Sequence, residues 1–345
     1  MSKTNHYQGA DGIRGFACLI VLLVHASAFF FADTFKALAG AGKIGVWLFF
    51  VLSAFLLTSK FESSGFSRYS LFTYALGRFL RIVPIFTIVA FLYYWLGTAN
   101  IGTAQDLQNA ILFKQGFAHL WTIPVEFKFY AFLPIFAFLL ISAKRFGGDL
   151  GAALCAVVLV VGQQYFWPYW NSVPNGISTH WYLSSFTIGC YFAVSMDFYR
   201  RYVTDSVATL VAACVLILMI LSSPIMRNIL LDMPMDNWLL NKFVYLSFFW
   251  GLFVVVLADG NGCLGKVMKS VVMKKIGAWS FSIYLVHWYF YVTFALAHPN
   301  SFSWMIIAVL CAIVVGAILH YIVEAPIERF RHSIQLRFKQ VAVTA

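Results

Sequence analysis

The chain has 345 residues, of which 61% are hydrophobic and 19% aromatic, with a net charge of +11. Only 11% are charged, less than half the roughly 25% of a soluble domain, so the composition excludes an ordinary water-soluble fold. A nucleic-acid partner would call for basic clusters on a soluble module, and the sequence has none.

The first apolar stretch, residues 12–32, begins Ala10-Asp11-Gly12-Ile13-Arg14-Gly15 and has no Asp, Glu, Lys or Arg from Gly15 to Ala32. Arg14 and His25 stand eleven positions apart within it. On a helix that leaves them about 20° apart on one face, separated by roughly 16 Å along the axis. Ionisable groups within a span are costly and mark polar cavities with a task. Asp11 is one turn from Arg14 and positioned to pair with it; an arginine snorkelling to the interface is the plainer reading of the same residue. Ala26-Ser27-Ala28 resembles a signal cleavage site, but apolar sequence runs on through Phe31, so the stretch reads as a retained span.

A second span covers residues 41–60 and a third covers 73–97. The third carries Arg78 and Arg81 one turn apart, followed by Pro84. With Arg14 they would form a three-arginine cluster if spans one and three are neighbours, and guanidinium groups bind phosphates in bidentate fashion. Span four, 117–143, contains Glu126 at a depth similar to that of His25. Lys128, two residues on, faces another way and is free to pair across the bundle. Two long uncharged runs, Leu150–Met196 and Ile276–Val323, each fit two helices of roughly 20 residues around a turn rich in helix breakers. They give spans 150–167 and 179–198, then 276–297 and 302–324, with 205–222 and 239–258 between. His287 lies in the ninth span, near the depth of His25 and Glu126; a hydrogen bond between helices would also account for it.

The fold class is therefore all-α, a polytopic membrane protein of about ten helices. An even count puts both termini on one side. The loops on that side and the span ends bordering them hold 17 of the 24 basic residues, from Lys3 to Arg337 and Lys339. The positive-inside rule makes it the cytoplasm. Seven tryptophans, Trp121 and Trp238 among them, fall near the outer ends, as an aromatic belt should. The six cysteines have neither disulfide nor zinc-ligand spacing, and no metal site is expected.

In chain order, several segments resemble the acyltransferase-3 family of integral membrane acyltransferases. Arg14 to His25 resembles its Arg-x10-His opening, and Val46-Trp47-Leu48-Phe49-Phe50-Val51-Leu52-Ser53 its second-helix signature. Arg78-Phe79-Leu80-Arg81-Ile82-Val83-Pro84 resembles its Arg-x-x-Arg segment. His119-Leu120-Trp121 through Glu126 and Tyr130 is similar to its fourth-helix motif. Ser280 to Trp288 is similar to its ninth-helix motif, and Glu324-Ala325-Pro326 to its terminal Glu-x-Pro. Phe127, Lys128 and Ala54 depart from the usual acidic residue, glutamine and glycine, which puts any second carboxylate in doubt.

The resemblance implies an acyltransferase domain over residues 1–330 with a basic cytoplasmic tail over 331–345; the roughly twenty residues after span ten are too few for the fused hydrolase-like domain that some members carry. It implies transfer of an acyl group, usually acetyl from acetyl-CoA, to a hydroxyl of a surface or exported glycan at the inner membrane. Under it, His25 and Glu126 are the catalytic candidates, His25 as general base or as acyl-carrying nucleophile and Glu126 orienting the imidazole or holding the sugar. Arg14, Arg78 and Arg81, with Tyr284 and His287, are the candidates for holding acetyl-CoA. His119 and Trp121 are candidates for the acceptor side. The acceptor is left open among a lipopolysaccharide side chain such as O-antigen, another exopolysaccharide and a smaller hydroxylated metabolite; so are longer acyl donors and the oligomeric state. The rival class is a transporter or flippase, which commonly shows paired repeats with broken helices; no such pairing is visible.

Overall fold

Each of the ten apolar segments folds as helix, but they are not ten uniform rods. The computed structural model describes residues 7–344, with side chains through residue 336. In the charge count, Lys3 and the side chains of Arg337 and Lys339 therefore lie outside the described residues. Among the described residues there is no β-strand. The long helices are α1 (Ala10–Phe30), α2 (Gly42–Ser64), α3 (Arg68–Leu96), α4 (Thr122–Phe166), α5 (Leu183–Val194), α6 (Asp205–Leu221), α7 (Phe243–Leu257), α8 (Val271–Ala297), α9 (Phe302–Leu319) and α10 (Ala325–Thr344). Ser67, Thr204, Ser270 and Ser301 cap the starts of α3, α6, α8 and α9 by accepting a backbone N–H three residues on, which satisfies donors that a helix start leaves unpaired.

Six of the described helices are long and apolar enough to cross a membrane, or up to eight if each bent pair is one span. The helices are interrupted at identifiable places. Gly148 has φ +62°, a left-handed conformation that breaks α4 into the arms expected as spans four and five. Span six is divided into a 3-10 turn at Thr179–Tyr182, the 12-residue α5 and a short helix at Met196–Arg200. Alone, α5 reaches only about 18 Å of a ~30 Å hydrocarbon core. Spans seven and eight each turn by 82° into a short following helix. At the chain end, α9 passes through a π turn, His320–Glu324, into α10, and Tyr69 donates to the Gln335 carbonyl at 3.0 Å.

The most buried of the spans is α2, packed against α1, α5 and α7. The largest helix pairing joins α1 to α8, and α9 covers the other side of α8. Large apolar side chains such as Ile88 and Phe91 on α3, Phe132 on α4 and Leu310 on α9 point outward, where lipid is their natural solvent.

Candidate active site

The site begins with glycines. A Cβ on Gly277 would sit 1.7 Å from the Asp11 carbonyl oxygen, and one on Gly15 would sit 2.5 Å from that of Met273. Only bare backbone lets α1 and α8 approach this closely, the small-residue packing on which helix association in membranes depends. Ten residues farther along both helices stand His25 and His287. The same register at two levels means that α1 and α8 run parallel, and it brings the imidazoles together in near-parallel planes, 8° apart.

The hydrogen bonds of that pair fix its tautomers. His287 is fully buried, and its Nδ1 donates to the Tyr284 carbonyl at 2.7 Å. Its Nε2 therefore carries a lone pair and accepts from His25 Nδ1 at 3.0 Å. His25 Nε2 is then the unprotonated nitrogen, the one able to take a proton. It faces Gly42 of α2, where a Cβ would stand 3.0 Å away. A third histidine completes the group: His119 Nε2 donates to the Leu285 carbonyl at 3.2 Å, and its ring stacks on Trp288. Tyr93 donates to the same carbonyl at 2.6 Å.

Two cavities meet beside these residues. One, of about 930 Å³, is lined by Arg14, Arg78 and Arg81 with Glu126, Tyr130, Ser53 and Ser280. The other, of about 1210 Å³, is lined by His25, His119, Trp121, Lys43, Gly42 and Trp288. Val46 and Tyr284 line both, so one valine and one tyrosine form the partition between them. Tyr284 is pinned there: its hydroxyl donates to the His119 carbonyl and accepts from Thr122 Oγ1 at 3.0 Å.

The three arginines expected to cluster do line one cavity, although spans one and three are not among the extensively packed pairs. Arg14 reaches it from α1, and Arg78 and Arg81 reach it from one turn of α3. Arg14 is held by Asp11 at 3.0 Å, and the Arg78 guanidinium lies 5.6 Å from the centre of the Tyr130 ring. Glu126 sits with the arginines and accepts from the Tyr130 hydroxyl; the group that orients His25 is His287. His287, expected among the donor-binding residues, lines neither cavity and lies behind His25. Trp121 was also eligible for the interfacial belt, but it is buried in the cavity wall. Lys128 finds the Ile177 carbonyl at 3.5 Å. Residues missing from the sequence-based site are Gly42, Lys43, Tyr93 and Trp288. For Lys43 a signal was available, a lysine one residue inside the start of a span.

Long apolar helices enclosing a cavity with an oriented histidine in its wall define a multi-pass membrane protein with the parts of a group-transfer enzyme. The family model described as Acyltransferase domain (Acyl_transf_3) matches residues 7–322, and the chain belongs to that family of acyltransferases. It is similar to the O-acetyltransferase OatA of Staphylococcus aureus (strain NCTC 8325 / PS 47), with 24% identity over 84% of this chain and 51% of the relative. A second similar protein, of S. aureus strain COL, bears the name Putative O-acetyltransferase SACOL0978; it is 23% identical over 83% of this chain and 50% of its own length. The chain thus spans about half the length of the curated relatives it matches. No solved structure matches it.

Proposed function

We propose that the chain moves an acyl group, acetyl in the first instance, from cytosolic acyl-CoA to a hydroxyl of a surface or exported glycan. The observation that carries this reading is the pair of cavities sharing Val46 and Tyr284, one lined by arginines and the other by histidines. Acyl-CoA is a polyanion with a long flexible arm. Its phosphates match Arg14, Arg78 and Arg81, since guanidinium–phosphate pairs are strong and directional. The arm then delivers the thioester toward the partition, roughly the 16 Å from Arg14 to His25.

A sugar hydroxyl is a weak nucleophile at neutral pH. His25 Nε2 takes its proton as the oxygen attacks the thioester carbonyl. The new ester C–O bond forms, the C–S bond breaks, and the imidazolium returns the proton to the departing thiolate. His287 supports this by accepting from His25 Nδ1, a bond that strengthens as the ring becomes cationic. Holding both substrates at one partition supplies the proximity term. Trp121, in the histidine cavity, offers a flat face for a sugar ring. The placement of both termini in the cytoplasm, with the histidine cavity opening away from it, rests on the positive-inside count.

The test compares membranes carrying wild type or His25→Ala at equal protein levels, supplied with acetyl-labelled CoA. Label entering glycan with the wild type and lost in the variant is the expected result. Equal labelling from both removes His25 from the chemistry.

A further inference from the structure

The histidine cavity contains a charge the mechanism above does not use. Lys43 is 9% exposed, and its ammonium has no hydrogen-bond or ion-pair partner among the described residues. The ammonium lies over the Trp121 ring, 5.1 Å from Nζ to centroid. A cation over an indole face recovers part of the cost of burial, but far less than a counter-ion does. The side chain lies on the first turn of α2, a 23-residue helix whose positive dipole end adds to the same field.

The remaining walls offer no compensation. The other titratable groups lining the cavity are His25, His119 and the Tyr284 hydroxyl; no Asp or Glu lines it. The nearby carboxylate of Asp236, beside lining residue Asn237, is already engaged by Arg227 at 3.2 Å. A large cavity thus has a buried, uncompensated cation in its wall, next to the aromatic surface suited to a sugar.

We infer that the acceptor carries an anionic group, and that Lys43 seats it while its hydroxyl is presented to His25. The chemistry is that of a carboxylate, as on an acidic sugar, or of a phosphate, as in a lipid-linked or phosphate-bridged glycan. This rests on the acyl-transfer reading for the acceptor's role, but anion binding at Lys43 is measurable without any transfer.

The experiment uses the full chain in lipid nanodiscs and equilibrium binding of three labelled probes: a neutral disaccharide, its uronic-acid counterpart and its sugar-phosphate counterpart. Wild type is expected to bind one of the anionic probes at least about tenfold more tightly than the neutral one. Lys43→Met is expected to erase that preference, and Lys43→Arg to retain it. Preference for the uronic acid identifies a carboxylate, and preference for the sugar phosphate identifies a phosphate. No preference in the wild type, or a preference that survives Lys43→Met, overturns the inference. Acetyl-CoA binding is measured on the same samples and is expected to be unchanged in both variants, which separates a local effect from misfolding. If the preference behaves as expected but no acetyl transfer to any probe is detected, the anion site stands and the acyl-transfer reading falls.

Discussion

Removing the acceptor behind His25 tests the histidine pair most sharply. In His287→Leu, the bond from His25 Nδ1 at 3.0 Å is lost, and the ring is free to rotate or to change tautomer. That bond turns from neutral to charge-assisted as His25 takes up a proton, and such bonds contribute about 1.5–3 kcal/mol. At about 1.36 kcal/mol per factor of ten, kcat should fall by roughly 10- to 150-fold. The arginine cavity is untouched, so the KM for acetyl-CoA should stay within about threefold. Gln at 287 presents an amide oxygen to His25 and an N–H₂ to the Tyr284 carbonyl, so His287→Gln should recover much of the rate. The assay is initial-rate transfer of labelled acetyl in membrane vesicles, normalised to folded protein. A kcat unchanged in His287→Leu, or a Gln variant no better than Leu, would refute the reasoning.

Three further outcomes follow from the same geometry. Arg78→Met or Arg81→Met should raise the KM for acetyl-CoA by about tenfold or more by removing a phosphate-binding guanidinium, with a smaller change in kcat; steady-state kinetics at several donor concentrations checks this. Gly42→Ala places a methyl group 3.0 Å from His25 Nε2 and should depress kcat while leaving thermal stability in detergent nearly unchanged. Gly277→Leu forces α1 and α8 apart, because a Cβ alone would lie 1.7 Å from the Asp11 carbonyl; overpacking of this kind costs about 1–3 kcal/mol, so melting temperature and activity should fall together.

Much of this arrangement was legible in the sequence, and the gaps have physical causes. That Arg14 and His25 share a face follows from helix periodicity, and the structure places each in the wall of a cavity. Depth, however, is not direction. Glu126 and His25 were read at the same level of the bilayer, yet they line different cavities because position along a helix says nothing of which wall it faces. The His25–His287 pair depends on Gly15 meeting Gly277 across most of the chain, and a close approach between distant segments has no local signature. Where the apolar runs break is hidden for a related reason. Hydropathy marks apolar runs, but the 3-10 turns at Thr179–Tyr182 and Trp238–Asn241 and the left-handed Gly148 break helices without adding charge. Lys43 is visible in the sequence as a lysine just inside the start of a span, but its burial and its lack of a partner among the described residues have no local signature.

The transmembrane division of labour between the two cavities is tested most directly by sidedness. Sealed inverted vesicles and sealed right-side-out vesicles would each receive labelled acetyl-CoA from outside only, with glycan acceptor enclosed in the inverted set and supplied externally to the other. The arrangement predicts labelled acceptor inside the inverted vesicles, where the donor reaches the arginine cavity from the cytoplasmic face, and none with right-side-out vesicles until they are loaded with acetyl-CoA. Transfer from external acetyl-CoA in sealed right-side-out vesicles would contradict it, because donor and acceptor would then be entering from the same side.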